Sequence, residues 1–180
     1  IFPLQSYASF ATLQCSVHDI WANFFGSTLE DRPVYTPSDC FETFPFPENW
    51  DTSPVLETVG KNYYDFRSFQ MNENDEGLTI TYNRFHDPNE ADPNILMLRD
   101  LHSSMDRAVL DAYNWTDIPV DCDFFLDYEI DDEEEWGNKK KPYRYRWPDD
   151  VRDEVLARLL ELNAKRAKEE ELAAAEAKNN

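Results

Sequence analysis

The run Tyr143-Arg-Tyr-Arg-Trp147 alternates aromatic rings with guanidinium groups, a pattern that suits contact with nucleic acid. Aromatic rings stack on bases, and arginine donates to phosphate or to the edge of guanine. Three lysines precede the run, which makes it the basic island of an acidic chain. A second interpretation stays open, in which the run is a strand-like edge packed under the last helix. The candidate DNA contacts are Lys139, Lys140, Lys141, Tyr143, Arg144, Tyr145, Arg146 and Trp147, with Arg32 as a further candidate.

A second set of side chains could bind a cation through carboxylates. These residues are Asp127, Glu129, Asp131, Asp132 and Glu133. This acidic run lacks the mid-loop glycine and the ligand spacing of a calcium loop. The four glycines of the chain lie far apart, so they form no phosphate-cradling loop, and no nucleophile elbow is present. We therefore expect no catalytic residue, cofactor or metal here. A metal-dependent nuclease, with separated acids and a lysine, is the third interpretation.

Composition limits the classes of function further. The formal net charge of −20 argues against free-standing, non-specific binding of nucleic acid, which needs a basic footprint. It fits a domain that docks on a basic partner or offsets basic charge elsewhere. Three widely spaced cysteines predict neither a disulfide framework nor a zinc site, so a cytoplasmic location is expected. Neither a membrane-spanning run nor a signal peptide is recognisable, and the start at Ile1 predicts a fragment of a longer chain.

Apolar spacing predicts a mainly helical protein. One helix is expected over residues 6–25, ending at Gly26. Another begins with Ser53 as N-cap and Pro54 at its first position, and fades by Asn72. The clearest helix starts at Asp92-Pro93 and runs to about Tyr113, and the last starts at Pro148-Asp-Asp150. On the third of these helices, the expected solvent-facing residues are Arg99, Asp100, Asp106 and Arg107.

The proline-rich segment Tyr35–Pro47 is predicted to be a bent, packed connector, since each proline fixes φ and removes a backbone donor. Short strands are expected at Val34-Tyr35 and Cys40-Phe41, and a short helix or turn over Leu78–Phe85. The predicted fold class is mainly α with a few short strands (α+β). Three parts are expected: residues 1–50, a helical module over 51–147, and a C-terminal helix with a fraying tail over 148–180.

Four ordered motifs resemble the C-terminal region of bacterial adenine-specific DNA methyltransferases of the type IIG/IIL restriction-modification group and related phage-defence enzymes. They are Tyr35-Thr-Pro-Ser-Asp-Cys-Phe-Glu-Thr-Phe-Pro-Phe-Pro47, Tyr82-Asn-Arg-Phe-His-Asp-Pro88, Leu98-Arg-Asp-Leu-His-Ser-Ser-Met-Asp-Arg-Ala-Val-Leu-Asp-Ala-Tyr-Asn-Trp115 and Tyr143-Arg-Tyr-Arg-Trp-Pro148. Asn114 stands where relatives have glycine. Because asparagine tolerates the left-handed conformation, we expect a helix C-cap there.

This resemblance implies a parent enzyme that transfers a methyl group from S-adenosylmethionine to an adenine flipped out of double-stranded DNA. The family's Asn/Asp-Pro-Pro-Tyr/Phe motif and cofactor loop are absent from these 180 residues. The resemblance therefore implies a non-catalytic fragment at the end of the target-recognition region, which helps DNA recognition or cleft closure. The alternative is an acidic module that docks another subunit of the same defence system.

Overall fold

The computed structural model describes residues 4–29, 32–126 and 143–178. In chain order the elements are α1 Tyr7–Gln14, α2 Ser16–Phe25, β1 Ser27–Leu29, β2 Arg32–Val34, α3 Pro37–Cys40, a 3-10 turn Trp50–Thr52, α4 Pro54–Glu73, α5 Leu78–Phe85, α6 Pro93–Ala112, β3 Asp123–Leu126, β4 Tyr143–Arg146 and α7 Asp149–Lys178. The strands form two separate antiparallel pairs, β1–β2 and β3–β4. The predicted class, mainly α with a few short strands, is confirmed.

Local capping chemistry explains the ends of the long helices. The Ser53 hydroxyl accepts a hydrogen bond from the Leu56 amide, and Pro54 opens α4, as predicted. Asp92 caps α6 in the same way through the Asn94 amide. After α6, Asn114 has φ of 62°, which confirms the predicted left-handed residue at the helix end. Leu78–Phe85 is helical, which is one of the two predicted conformations.

The first predicted helix is wrong in one respect, because it breaks at Cys15 into α1 and α2. The Cys15 backbone is extended, with φ of −72° and ψ of 163°. The amide of Ser16, which opens α2, donates to the Asp106 carboxylate at 2.8 Å. The cap of α2 therefore comes from α6, and no residue pattern near Cys15 could reveal it.

Helices α1, α4 and α6 build the centre of the core, with α4 packed closely on α1. Gly60 of α4 is buried against α1. A Cβ atom there would lie 2.1 Å from the Tyr7 carbonyl oxygen and 3.1 Å from the Ala11 Cβ. In addition, the Glu57 carboxylate accepts from the Ala8 amide at 2.8 Å, so α4 also caps α1. This close approach explains a glycine inside a long helix.

Replacing Gly60 with alanine is expected to lower the free energy of unfolding by about 2 kcal/mol, because two backbones must move apart. Helix propensity alone predicts the opposite sign, a gain of about 1 kcal/mol. Urea denaturation measures the difference. Gly77→Ala is the control, since a Cβ there meets nothing within 4 Å. A Gly60→Ala variant as stable as the parent would contradict the close α1–α4 contact.

The connector Tyr35–Pro47 is packed, but the strand predicted at Cys40-Phe41 is wrong. Pro37 opens α3 there, and the Cys40 amide donates to the Thr36 carbonyl as in a helical turn. Buried Phe44 contacts the rings of His18, Trp21 and Phe46. The segment joins α2 to the later helices through its aromatic rings and not through a sheet.

Hydrogen bonds to its carbonyl oxygens also hold this connector in place. The Pro45 carbonyl accepts from the Tyr113 hydroxyl at 3.0 Å, and the Phe46 carbonyl accepts from Arg166 of α7 at 2.7 Å. On α7, the predicted apolar stripe is present, with Val155 and Leu159 fully buried and Val151 and Leu162 packed beside them. One buried cluster includes residues from Ala8 to Leu159. The division of the chain into three parts stays a prediction.

Within the described parts of the chain, none of the helices combines the length and the apolar character needed to cross a membrane.

Candidate nucleic-acid interface

Strand β4 carries the predicted DNA-binding run and pairs antiparallel with β3, so the strand-like interpretation of the run is correct in its geometry. Tyr145 lies opposite Phe124 and Tyr143 opposite Leu126. The Tyr145 ring packs 5.0 Å from Phe124 and 5.6 Å from Phe85, centroid to centroid. The Tyr145 ring is therefore only partly exposed and already packs on two rings of the protein, which limits its use for stacking on a base.

Arg99 of α6 holds this hairpin in place, although the helical pattern predicts a solvent-facing position for it. It is 6% exposed. Its guanidinium donates to the carbonyls of Phe85, Asp87 and Arg84 at 3.0, 2.9 and 3.3 Å. The same group lies 5.1 Å from the Tyr145 ring centroid and 4.9 Å from that of Phe124. One arginine thus caps the end of α5 and supports β3–β4 by cation–π contact.

The remaining residues of the run differ in their exposure and in their contacts within the protein. Arg144 is exposed. Arg146 donates to the Asp149 carboxylate at 2.6 Å and to the Trp147 carbonyl at 3.0 Å, while its guanidinium lies 4.7 Å from the Phe125 ring centroid. Trp147 is fully buried in the core, so its indole is not accessible for stacking on a base. Of these three side chains, the two arginines can reach a ligand and the buried tryptophan cannot.

Several candidate residues lie outside the described residues. These are Lys139, Lys140 and Lys141, together with the acidic run Asp127, Glu129, Asp131, Asp132 and Glu133. The backbone of Arg32 belongs to β2, in a hairpin separate from β3–β4. The predicted roles of these residues therefore stay predictions.

A cleft of about 800 Å³ opens beside β4, and it is the feature that sequence reasoning missed. Its lining includes Arg144 and Arg146 from β4 and Arg152 from α7. The rest comes from the α1–α2 junction and from α5, its C-terminus and α6, including Tyr82, His86 and His102. Since these residues are far apart in the chain, only the fold brings them together. The histidine of the Tyr82–Pro88 motif carries no spacing signal that could reveal the cleft.

His86 is fixed by the hairpin. Its Nδ1 accepts a hydrogen bond from the Tyr145 amide at 3.1 Å, so this nitrogen must be unprotonated. Burial, with a smaller contribution from the nearby Arg144 charge, lowers the pKa of His86 to about 4. The imidazole is thus neutral near pH 7 and serves as a positioning group for β4.

His102 has the opposite electrostatic setting, because it faces a buried carboxylate. Its Nδ1 lies 3.4 Å from Oδ2 of Asp106, which is fully buried and also accepts from the Ser16 hydroxyl at 2.7 Å. Burial disfavours the imidazolium, but Asp106, with smaller contributions from Asp19 and the Gln14 backbone, outweighs burial and the pKa of His102 is raised. The predicted solvent-facing position of Asp106 on α6 is wrong. Asp106 is the buried centre of a Ser16–Asp106–His102 network.

This network is not arranged for nucleophilic catalysis. In a serine triad the histidine stands between the hydroxyl and the carboxylate, so that it takes the hydroxyl proton. Here the carboxylate stands between Ser16 and His102, and the hydroxyl donates to it. Among residues 4–29, 32–126 and 143–178, no group of three or more His, Cys, Asp or Glu side chains is placed to hold a metal ion.

Comparison of the chain with protein-family models, with curated proteins and with solved structures gives no match.

Proposed function

We propose that this chain is the non-catalytic C-terminal part of a site-specific adenine DNA methyltransferase of a restriction-modification or phage-defence system. Its role is to contribute to DNA recognition or to close the cleft over the DNA. The four motifs within Tyr35–Pro148 carry the family assignment, and S-adenosylmethionine would bind the parent enzyme upstream of these residues. Enzyme activity belongs to that parent.

One observation supports the DNA-contacting role most directly: three arginines line the cleft beside β4 in a chain of net charge −20. In so acidic a chain, a local concentration of guanidinium groups marks where a phosphate backbone can approach. The Tyr145 ring of β4 contacts Arg99 and the Tyr145 amide donates to His86, and these contacts favour a preformed surface. DNA is accordingly expected to meet the β4 side of the fold.

We expect the double variant Arg144→Ala/Arg146→Ala, made in the longer chain that carries the catalytic domain, to weaken DNA binding. The slope of log K against log salt should fall by about 0.9 for every phosphate that the variant no longer neutralises. Fluorescence anisotropy over a salt series measures both quantities.

The matched control is Arg158→Ala/Lys165→Ala, which removes the same charge from α7 at residues that are absent from the cleft lining. An affinity and a salt slope equal to those of the control would overturn the DNA-contacting assignment.

A second candidate function is favoured by the net charge itself. An acidic helical module can dock a basic subunit of the same defence system, or cover a basic DNA cleft by charge mimicry. Cross-linking of this chain without DNA separates the two candidates, because only the docking function expects a stable protein partner under those conditions.

A further inference from the structure

The cleft beside β4 has the volume of a ligand site and a mainly polar lining. Its volume of about 800 Å³ falls in the range of pockets that hold small organic ligands. Polar side chains dominate its walls, including Gln14, Asn23 and Asn83, and the rings of Tyr82 and His86 are only partly buried. A polar cleft with aromatic edges suits a nucleotide better than an apolar molecule.

Two of its arginines are held by carboxylates that face solvent. Arg152 lies 3.7 Å from Asp19 of α2, and Arg146 lies 2.6 Å from Asp149. The carboxylate side chains are 61% and 74% exposed, respectively. Ion pairs this exposed contribute little stability, since water and salt screen them. Phosphate oxygens accept stronger, charge-assisted hydrogen bonds from guanidinium groups. An entering phosphate can therefore replace Asp19 and Asp149 at small cost.

The cleft lining also includes a histidine of α6, on which Asp19 acts together with a buried carboxylate. His102 lines the cleft, and its own partner is the buried Asp106. Burial opposes the charge on this imidazole, but Asp106 outweighs it and the pKa of His102 is raised above its ordinary value. The cleft lining thus brings together arginines of β4 and α7 and a histidine of α6 whose pKa is raised.

We infer that this cleft binds a phosphate ester of nucleotide size, with Arg146 and Arg152 on the phosphate oxygens and Asp19 acting as the competing internal anion. The inference deepens the proposed function, on which it rests for the natural source of the phosphate, a nucleic-acid strand. The site itself depends only on the geometry of the cleft.

The test is a titration of the chain with inorganic phosphate and with adenosine 5′-monophosphate, followed by NMR of the arginine Nε–H and histidine ring signals. Both ligands should shift Arg152 and His102 saturably, with the nucleotide binding at least as tightly as phosphate. Arg152→Gln should weaken binding roughly tenfold, the effect of removing one charge-assisted hydrogen bond. Asp19→Asn should tighten binding several-fold, because it removes the competitor.

Arg158→Gln is the control, since this α7 arginine pairs with Asp117 and is absent from the cleft lining. Amide spectra confirm that each variant is folded. Linear, unsaturated shifts, equal effects of Arg152→Gln and Arg158→Gln, or weaker binding by Asp19→Asn would each overturn the inference. These results are independent of the salt-slope experiment on DNA, so either proposal can fail while the other stands.

Discussion

Replacing Arg99 with alanine is expected to lower the free energy of unfolding by about 3 kcal/mol, because three carbonyl oxygens at the end of α5 lose a charged donor. The rings of Phe124 and Tyr145 lose their cation at the same time. Urea denaturation measures the stability. Hydrogen exchange at the Tyr145 amide should accelerate as well, since the β3–β4 hairpin loses its support.

Two further variants make the Arg99 result interpretable. Arg158→Ala removes an arginine whose ion pairs with Asp117 and Glu154 are exposed, and it should change the stability by less than about 1 kcal/mol. Arg99→Lys keeps the charge but lacks the planar fork, so it should recover only part of the stability. If Arg99→Ala costs no more than Arg158→Ala, the described role of Arg99 is wrong.

Replacing Asp106 with alanine is expected to cost about 3 kcal/mol or more, because a buried carboxylate holds both the amide and the hydroxyl of Ser16. Its removal uncaps α2 and leaves His102 without its anion. Asp106→Asn keeps the size and can keep the hydrogen bonds to Ser16, so it removes chiefly the charge. Urea denaturation again measures the stability, and Asp111→Asn, at an exposed pair with Arg107 on the same helix, is the control.

The pH dependence separates the charge of Asp106 from its hydrogen bonds. Because the pKa of His102 is raised above its ordinary value of 6.5, this histidine stabilises the fold fully below pH 6.5, and the contribution is lost as pH rises through the raised pKa. Asp106→Asn removes the main cause that raises the pKa of His102 and leaves burial, which lowers it, so the pKa of His102 should fall. A ring NMR titration of His102 that gives the same pKa in both proteins would contradict the network.

Features determined by neighbouring residues could be predicted from the sequence. The starts of α4 and α6 follow from a capping side chain and a proline next to each other, as at Ser53-Pro54 and Asp92-Pro93. The left-handed Asn114 follows from its own side chain. In each case the residues that decide the structure lie within one helical turn, so a local pattern contains the whole cause.

Features determined by distant partners could not be predicted. The break at Cys15 depends on Asp106, and the burial of Arg99 depends on carbonyls at the end of α5. A helical pattern predicts that charged residues lie on the solvent-facing side of the helix, because it contains no information on which of them pair with buried groups. For the same reason the sequence singled out Arg144 and Arg146 but did not show that Arg152 and His102 share their cleft.

The pairing of Leu126 with Tyr143 has a practical consequence for protein engineering. These two residues are register partners at one end of the β3–β4 ladder, so residues 127–142 connect two neighbouring points of the fold. A replacement of residues 127–142 by a short Asn-Gly hairpin turn can preserve the strand register. The contributions of Lys139, Lys140 and Lys141 can then be removed as one exchangeable cassette, while the arginines of β4 stay in place.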